Sequence, residues 1–334
     1  MLDVSTLGVG QFDYITCLGV LHHLPSPVEG LKALESVLAD GGAMAIMVYG
    51  SVGRSHIYAM QNILRHLTAS LDDPGEQLAF SRKIVANLPP TNGFRMAEGT
   101  EVIQKEYLYD DINFWDTLLH EQDCSYTASE VRELLATSGL FVQTFASYQG
   151  KPAITGLQYD LNFYITDASH LERLKELTLA ERENLAEALD GKLALHTVYA
   201  TRTPQSSLNP MAPNAILSPM SHSAQRIIAY LEKSGQGLSI VLSNGQTIHY
   251  KPSVVTLTFL GSIDGNKSNS ELFNALDIKE NSDAFAVICQ ELRVPIALHW
   301  VVARTNLGSF MPPLADIYPL SIHLRHYEPI NLPI

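Results

Sequence analysis

Phe12-Asp13-Tyr14-Ile15-Thr16-Cys17-Leu18-Gly19-Val20-Leu21-His22-His23-Leu24 is the stretch on which the fold turns. Its first nine residues are short and mostly apolar, which predicts a strand buried on both faces. Pro25-Ser26-Pro27 breaks the run. Val28, Leu31, Leu34 and Val37-Leu38 then recur at helical spacing, and the prolines suit a helix start. Asp40-Gly41-Gly42 is expected to stop that helix, with glycine taking the left-handed cap position. Ala43-Met44-Ala45-Ile46-Met47-Val48-Tyr49 reads as a second buried strand. Strand, helix and strand with short connections make a βαβ unit, so the two strands should lie side by side and parallel.

Further along, residues 54–71 and 74–88 carry apolar residues at three- and four-residue spacing and read as helices. Residues 94–126 mix aromatics and acids and match neither period. Thr127 is a plausible N-cap for a helix at 131–138, with Glu130 as its capping-box partner. Strands are expected at 140–145 and 196–201, with one long acid-rich helix between about 171 and 189. A Pro-, Ser- and Asn-rich stretch, Thr203 to Asn214, has linker composition. The expected division is therefore a domain at 1–205 and a small α+β domain at 206–334. The second should hold a helix near 224–233, a hairpin turning on Asn244-Gly245 in two residues, and helices near 269–276 and 282–292.

The 334 residues are 46% hydrophobic and 17% charged, enough to bury a sizeable core. The formal net charge of −13 repels phosphate backbones and anionic lipid, so neither a nucleic-acid nor a membrane partner is expected. Cys17, Cys124 and Cys289 are far apart and form no metal-binding pair, and no signal peptide or long apolar span is visible. A cytoplasmic protein is expected.

The segment 12–24 resembles the fourth strand and following loop of class I S-adenosylmethionine-dependent methyltransferases, which commonly read F-D-x-I and then V-L-H-H-L. Leu38-Ala39-Asp40-Gly41-Gly42 resembles that family's L-x-P-G-G turn, and 43–49 its fifth strand. The resemblance covers roughly residues 1–205. It implies an α/β fold with a Rossmann-like sheet ordered 3-2-1-4-5-7-6, its last strand antiparallel, and S-adenosylmethionine as cofactor. It places Asp3 and Val4 at the adenine, and Leu18, Gly19 and Val20 at the strand end facing the cofactor. His22 and His23 would border the cofactor's methionine end and the methyl acceptor. The family's glycine-rich loop belongs upstream of Asp3, and Gly8-Val9-Gly10 does not replace it, because it precedes a strand. An N-terminally truncated methyltransferase is expected, its cofactor binding weakened, with a weak resemblance of the C-terminal module to accessory domains of protein-lysine methyltransferases. The acceptor is a protein side chain or a small molecule. The alternative is a non-catalytic, methyltransferase-like binding module.

Asp116, His120, Asp123 and Tyr126 form a polar cluster in the unassigned stretch. On a helix, Asp116 and His120 would share a face. They would then be a general base with its orienting carboxylate, two metal ligands, or a surface ion pair. No third ligand is evident in sequence, so no metal is expected. Tyr49-Gly50 and Gly53-Arg54 are further candidates for an acceptor pocket.

Overall fold

The computed structural model describes residues 4–145, 156–165, 167–174, 176–204, 210–219, 224–233, 237–242, 244–280, 282–297 and 301–304. The chain divides into two compact units. One is Met1–Phe145 with Gln158–Pro204; the other is Ala146–Leu157 with Gln205–Ile334.

The first unit is built on a five-stranded sheet. Its strands are β1 (Phe12–Leu18), β2 (Leu38–Gly50), β3 (Ser125–Tyr126), β4 (Phe141–Phe145) and β5 (Leu195–Thr201). The order is β1-β2-β5-β4, with β3 paired to β2. β1 runs parallel to β2, and helix α1 (Pro27–Ser36) connects them. β5 is antiparallel to both β2 and β4. This is an α/β fold with a Rossmann-like sheet, and the 12–49 segment is the expected βαβ unit.

Two local expectations are corrected. β1 is not buried on both faces: only Cys17 is buried, while Phe12, Tyr14 and Leu18 are exposed. Among the described residues β1 pairs only with β2, so it lies at a sheet edge and has no neighbour to cover it. Nor does Asp40-Gly41-Gly42 end the helix. α1 stops at Ser36, Val37 caps it, and β2 has already begun at Leu38. The register runs from Phe12↔Leu38 to Tyr14↔Ala43, so the extra residues bulge out of β2, and Gly41 takes φ +77° there. The glycines serve a bulge, which resembles a cap in sequence because both need a left-handed residue.

Helices α2 (Ser55–Thr68) and α3 (Pro74–Ala86) follow β2. Ile57, Met60 and Leu64 of α2 and Val85 of α3 meet Phe94, Ile103, Tyr107, Phe114 and Leu118 in one apolar cluster. Residues 93–119 fold as short helical pieces, two of them π-helical (Ile103–Leu108 and Trp115–Leu119). Wide turns of this kind break the 3.6-residue period, which is why the segment has no readable periodicity. The helix Ala128–Thr137 opens with the expected capping box of Thr127 and Glu130. The long acid-rich helix is instead two, Ala168–Leu174 and Leu179–Asp190, the second starting from its own capping box at Thr178 and Glu181.

In the second unit, β6 (Ile216–Pro219) pairs antiparallel with β9 (Val301–Arg304), and β7 (Leu238–Val241) pairs with β8 (Thr247–Tyr250). The hairpin is not a two-residue turn. Leu242 and Gln246 bond across it and Gly245 N–H returns to the Leu242 carbonyl, giving a three-residue loop. Helices Val254–Ser262, Asn269–Ala275 and Asp283–Glu291 pack Phe259, Leu260, Phe273 and Ile288 into a separate core with Leu217 and Val301.

Candidate functional site

The site forms where β1 and β2 end. Gly19 follows β1 with φ +74°, a conformation glycine adopts without strain, and its N–H bonds the Met47 carbonyl at 3.2 Å. The chain then makes a single 3₁₀ turn, Leu21–His23, which buries Leu21 and His22 completely. Leu18 and Val20, on either side of Gly19, stay 49% and 41% exposed at the strand end.

β2 ends at Gly50, three residues past the last one paired with β1, Met47. β3 fills that space: Ser125 and Tyr126 pair with Tyr49 and Gly50. Cys124 N–H also donates to the His22 carbonyl at 3.0 Å. These bonds carry the segment around residues 116–126 onto the β1 loop. On the other side of β2, a Cβ on Gly50 would lie 2.3 Å from the Leu193 carbonyl oxygen, and one on Gly53 would lie 2.4 Å from Ala194 N. Both glycines are there because backbone passes against backbone.

An aromatic and histidine stack results. The His22 ring lies 3.7 Å from the Tyr49 ring at 24°, centroid to centroid, and the Arg54 guanidinium lies 3.6 Å from the same Tyr49 centroid. Two groups that close to one ring must occupy its two faces, so Tyr49 is sandwiched, gaining a cation–π contact from the arginine. His23 packs edge-on to His22 at 4.3 Å and lies 4.2 Å from the His120 ring. Burial, then the neighbouring positive charges of His23, Arg54 and His120, push the His22 pKa down to about 3. Neither of its ring nitrogens has a hydrogen-bond partner. His22 is therefore a neutral, buried ring.

His23 has a fixed tautomer. The Gln122 carbonyl sits 3.0 Å from His23 Nδ1, so Nδ1 carries a proton, and in the neutral ring Nε2 holds the lone pair. The N–H of the same Gln122 donates to His120 Nδ1 at 3.1 Å. The backbone of one residue thus orients two imidazoles. His23, Asp116 and His120 each offer a ligand atom, and all three atoms lie within 4.8 Å of one another.

The sequence candidates therefore sort as follows. His22, His23, Asp116 and His120 come together, although they derive from distant parts of the chain. Asp116 and His120 do not meet on an α-helical face: Asp116 lies in the π-helical turn, and His120 has left the helix with ψ 130°. Asp123 turns inward instead. Its buried carboxylate accepts from Gln61 Nε2 at 2.9 Å and Tyr58 OH at 3.4 Å, with Arg54 Nη2 3.8 Å away. Tyr126 contributes its backbone to β3. Leu18, Gly19 and Val20 lie at the strand end as expected, and Val4 opens a short 3₁₀ turn. Asp3 lies outside the described residues. The roles of Gln122 and Gln61 were not visible in sequence, since one acts through its backbone and the other is a single amide on a mostly apolar helix face.

No protein-family model matches the chain. An uncharacterized protein of Synechococcus sp., syc1184_c, is 34% identical over 205 residues, which are 61% of this chain and 47% of that protein. The ubiquinone biosynthesis O-methyltransferase of Marinobacter nauticus is 35% identical over 51 residues, 15% of this chain and 21% of the enzyme. That of Psychrobacter arcticus is 27% identical over 111 residues, 28% of this chain and 43% of the enzyme. Among solved structures, PKMT2 from Rickettsia typhi in complex with AdoHcy has a TM-score of 0.49 at 14% identity, covering 90% of this chain and 60% of that one. A second PKMT2 structure has a TM-score of 0.47 at 15% identity, covering 88% and 58%. The chain spans less than half the length of the curated relatives it matches.

Proposed function

We propose that the first unit is the acceptor-side part of a class I methyltransferase that moves a methyl group from S-adenosylmethionine to a protein side chain or a small molecule. The observation that carries this reading is the strand order β1-β2-β5-β4 with β5 antiparallel. It corresponds to the 4-5-7-6 end of that family's sheet, with the Gly19–His23 loop at the carboxyl ends of the parallel strands, where ligands of open α/β sheets bind. The short matches to ubiquinone biosynthesis O-methyltransferases support it.

The residues present fit the cofactor on the side they would touch. At Gly19 only Met47 Cε lies near the position a side chain would take, at 3.6 Å, so the backbone is open to close approach. Leu18 and Val20 offer exposed apolar surface on either side of it. The cofactor, when bound, supplies an electrophilic methyl group, and displacement of its sulfur needs an acceptor held in line. The neutral His22 and Tyr49 wall the loop without adding charge, and a water-poor wall favours loss of charge from the sulfonium. His23, Asp116 and His120 face the acceptor and activate it. Residues 206–334, which make up most of the second unit, are proposed to be an accessory domain.

Calorimetry with S-adenosylhomocysteine tests this. The 334-residue chain should bind it weakly, with a dissociation constant above micromolar, because half a cleft keeps much of the entropic cost and loses contacts. No binding at millimolar ligand counts against the reading.

A further inference from the structure

We propose that His23, Asp116 and His120 hold a divalent transition-metal ion at the carboxyl end of the sheet, beside Tyr49. The three side chains come from two loops far apart in sequence, and the Cys124 to His22 bond and the β2–β3 pairing bring them together. Their ligand atoms lie within 4.8 Å of one another. A four-coordinate ion with ligands at about 2.0–2.2 Å needs them about 3.3 Å apart, so each closes in by a fraction of that gap. Asp116 is exposed and His23 and His120 are half-buried, which leaves the side chains room to turn.

The donor set selects the ion. Two imidazoles and one carboxylate suit zinc, iron, cobalt or manganese, whereas magnesium and calcium prefer oxygen alone. His23 is already oriented: its Nδ1–H is held by the Gln122 carbonyl, which leaves Nε2 as the nitrogen placed to ligate, the arrangement found behind metal-bound histidines. His120 ligates through either nitrogen by giving up its bond from Gln122 N–H, a bond at the protein surface that water replaces. The nearest buried cation does not oppose the ion strongly. Arg54 lies across Tyr49 from His22, and the Asp123 carboxylate is 3.8 Å from it. Three protein ligands leave coordination positions open, as in catalytic rather than structural metal sites. On the methyl-transfer reading, on which this last step rests, an acceptor oxygen takes an open position and is made easier to deprotonate.

The test is a titration that needs no methyl transfer. Chelator-stripped protein is titrated with Zn²⁺ by calorimetry and with Co²⁺ by visible absorption. One equivalent should bind, with the d–d bands of a nitrogen- and oxygen-ligated site, and Mg²⁺ should not compete. His120→Gln and Asp116→Asn, both at accessible positions, should each weaken binding by at least about tenfold while the far-ultraviolet circular dichroism is unchanged. His66→Ala, on the exposed face of α2, should leave it unaltered. Absence of stoichiometric binding overturns the proposal. So does binding that survives both substitutions, or that falls equally with His66→Ala. A failed S-adenosylhomocysteine titration with an intact metal titration would remove the methyl-transfer reading and leave the ion in place.

Discussion

Cys124 donates its backbone N–H to the carbonyl of His22 across 3.0 Å, and this bond joins the two segments that make up the site. The side chain takes no part, so Cys124→Ala should be neutral. Cys124→Pro removes the donor and leaves the His22 carbonyl without it. A loss of about 1–3 kcal/mol in urea unfolding is expected, together with loosening of the 116–126 segment in hydrogen exchange. Equal stability of the two variants would show that the bond does not hold the site.

Beneath the site, Asp123 is the counter-charge of a buried guanidinium. Arg54 is 8% exposed, and Asp123 is held by Gln61 and Tyr58. Asp123→Ala leaves the arginine buried without a carboxylate and should cost about 3–5 kcal/mol. Asp123→Asn, which keeps an oxygen for Gln61, should cost less. The ordering of the two midpoints in a denaturant titration is the check.

Gly50→Ala and Gly53→Ala should each destabilise by about 1–3 kcal/mol or more, because the added carbon meets the 193–194 backbone rather than a side chain that turns away. Gly93→Ala, where nothing lies within 4 Å, should be neutral or slightly stabilising. Thermal midpoints that do not separate these pairs would contradict the close approach of β2 to residues 193–194.

Alkali should unfold the first unit. Burial raises the phenols of Tyr58 and Tyr126 to about 12. A raised phenol stabilises the fold fully below its unfolded value near 10, and that contribution is lost as pH rises through the folded value. Stability should therefore be flat to about pH 9–10 and fall between about 10 and 12. Tyrosinate absorbance should rise with the loss of circular dichroism; free titration of these tyrosines near pH 10 with the fold intact would contradict their burial.

Much of the fold was legible in the sequence where local signals agree with burial. The βαβ unit and the capping box at Thr127 come from apolar runs and caps that tertiary structure does not override, while the antiparallel direction of β5 followed from the family resemblance alone. Val254–Ser262 had no reading from sequence: this apolar, partly β-branched run is a helix, because Ser253 caps it at Thr256 N–H and its Phe259 and Leu260 pack in the core of the second unit. At the site, each residue type was readable but the assembly was not. His23 joins Asp116 and His120 through the Cys124–His22 bond, the β2–β3 pairing and the backbone of Gln122, and none of these has a side-chain signature. Sequence spacing placed Asp116 and His120 on an α-helical face, whereas a π turn and an extended residue bring them to His23.

The central claim is that the loop after β1 meets S-adenosylmethionine. Backbone amide shifts of the ¹⁵N-labelled 334-residue chain, followed during titration with S-adenosylhomocysteine, test it most directly. Progressive shifts are expected, centred on Gly19, Val20 and the Leu21–His23 turn and fitting a dissociation constant weaker than micromolar. Shifts confined to residues 210–304, or none in the 18–23 loop at millimolar ligand, would contradict it.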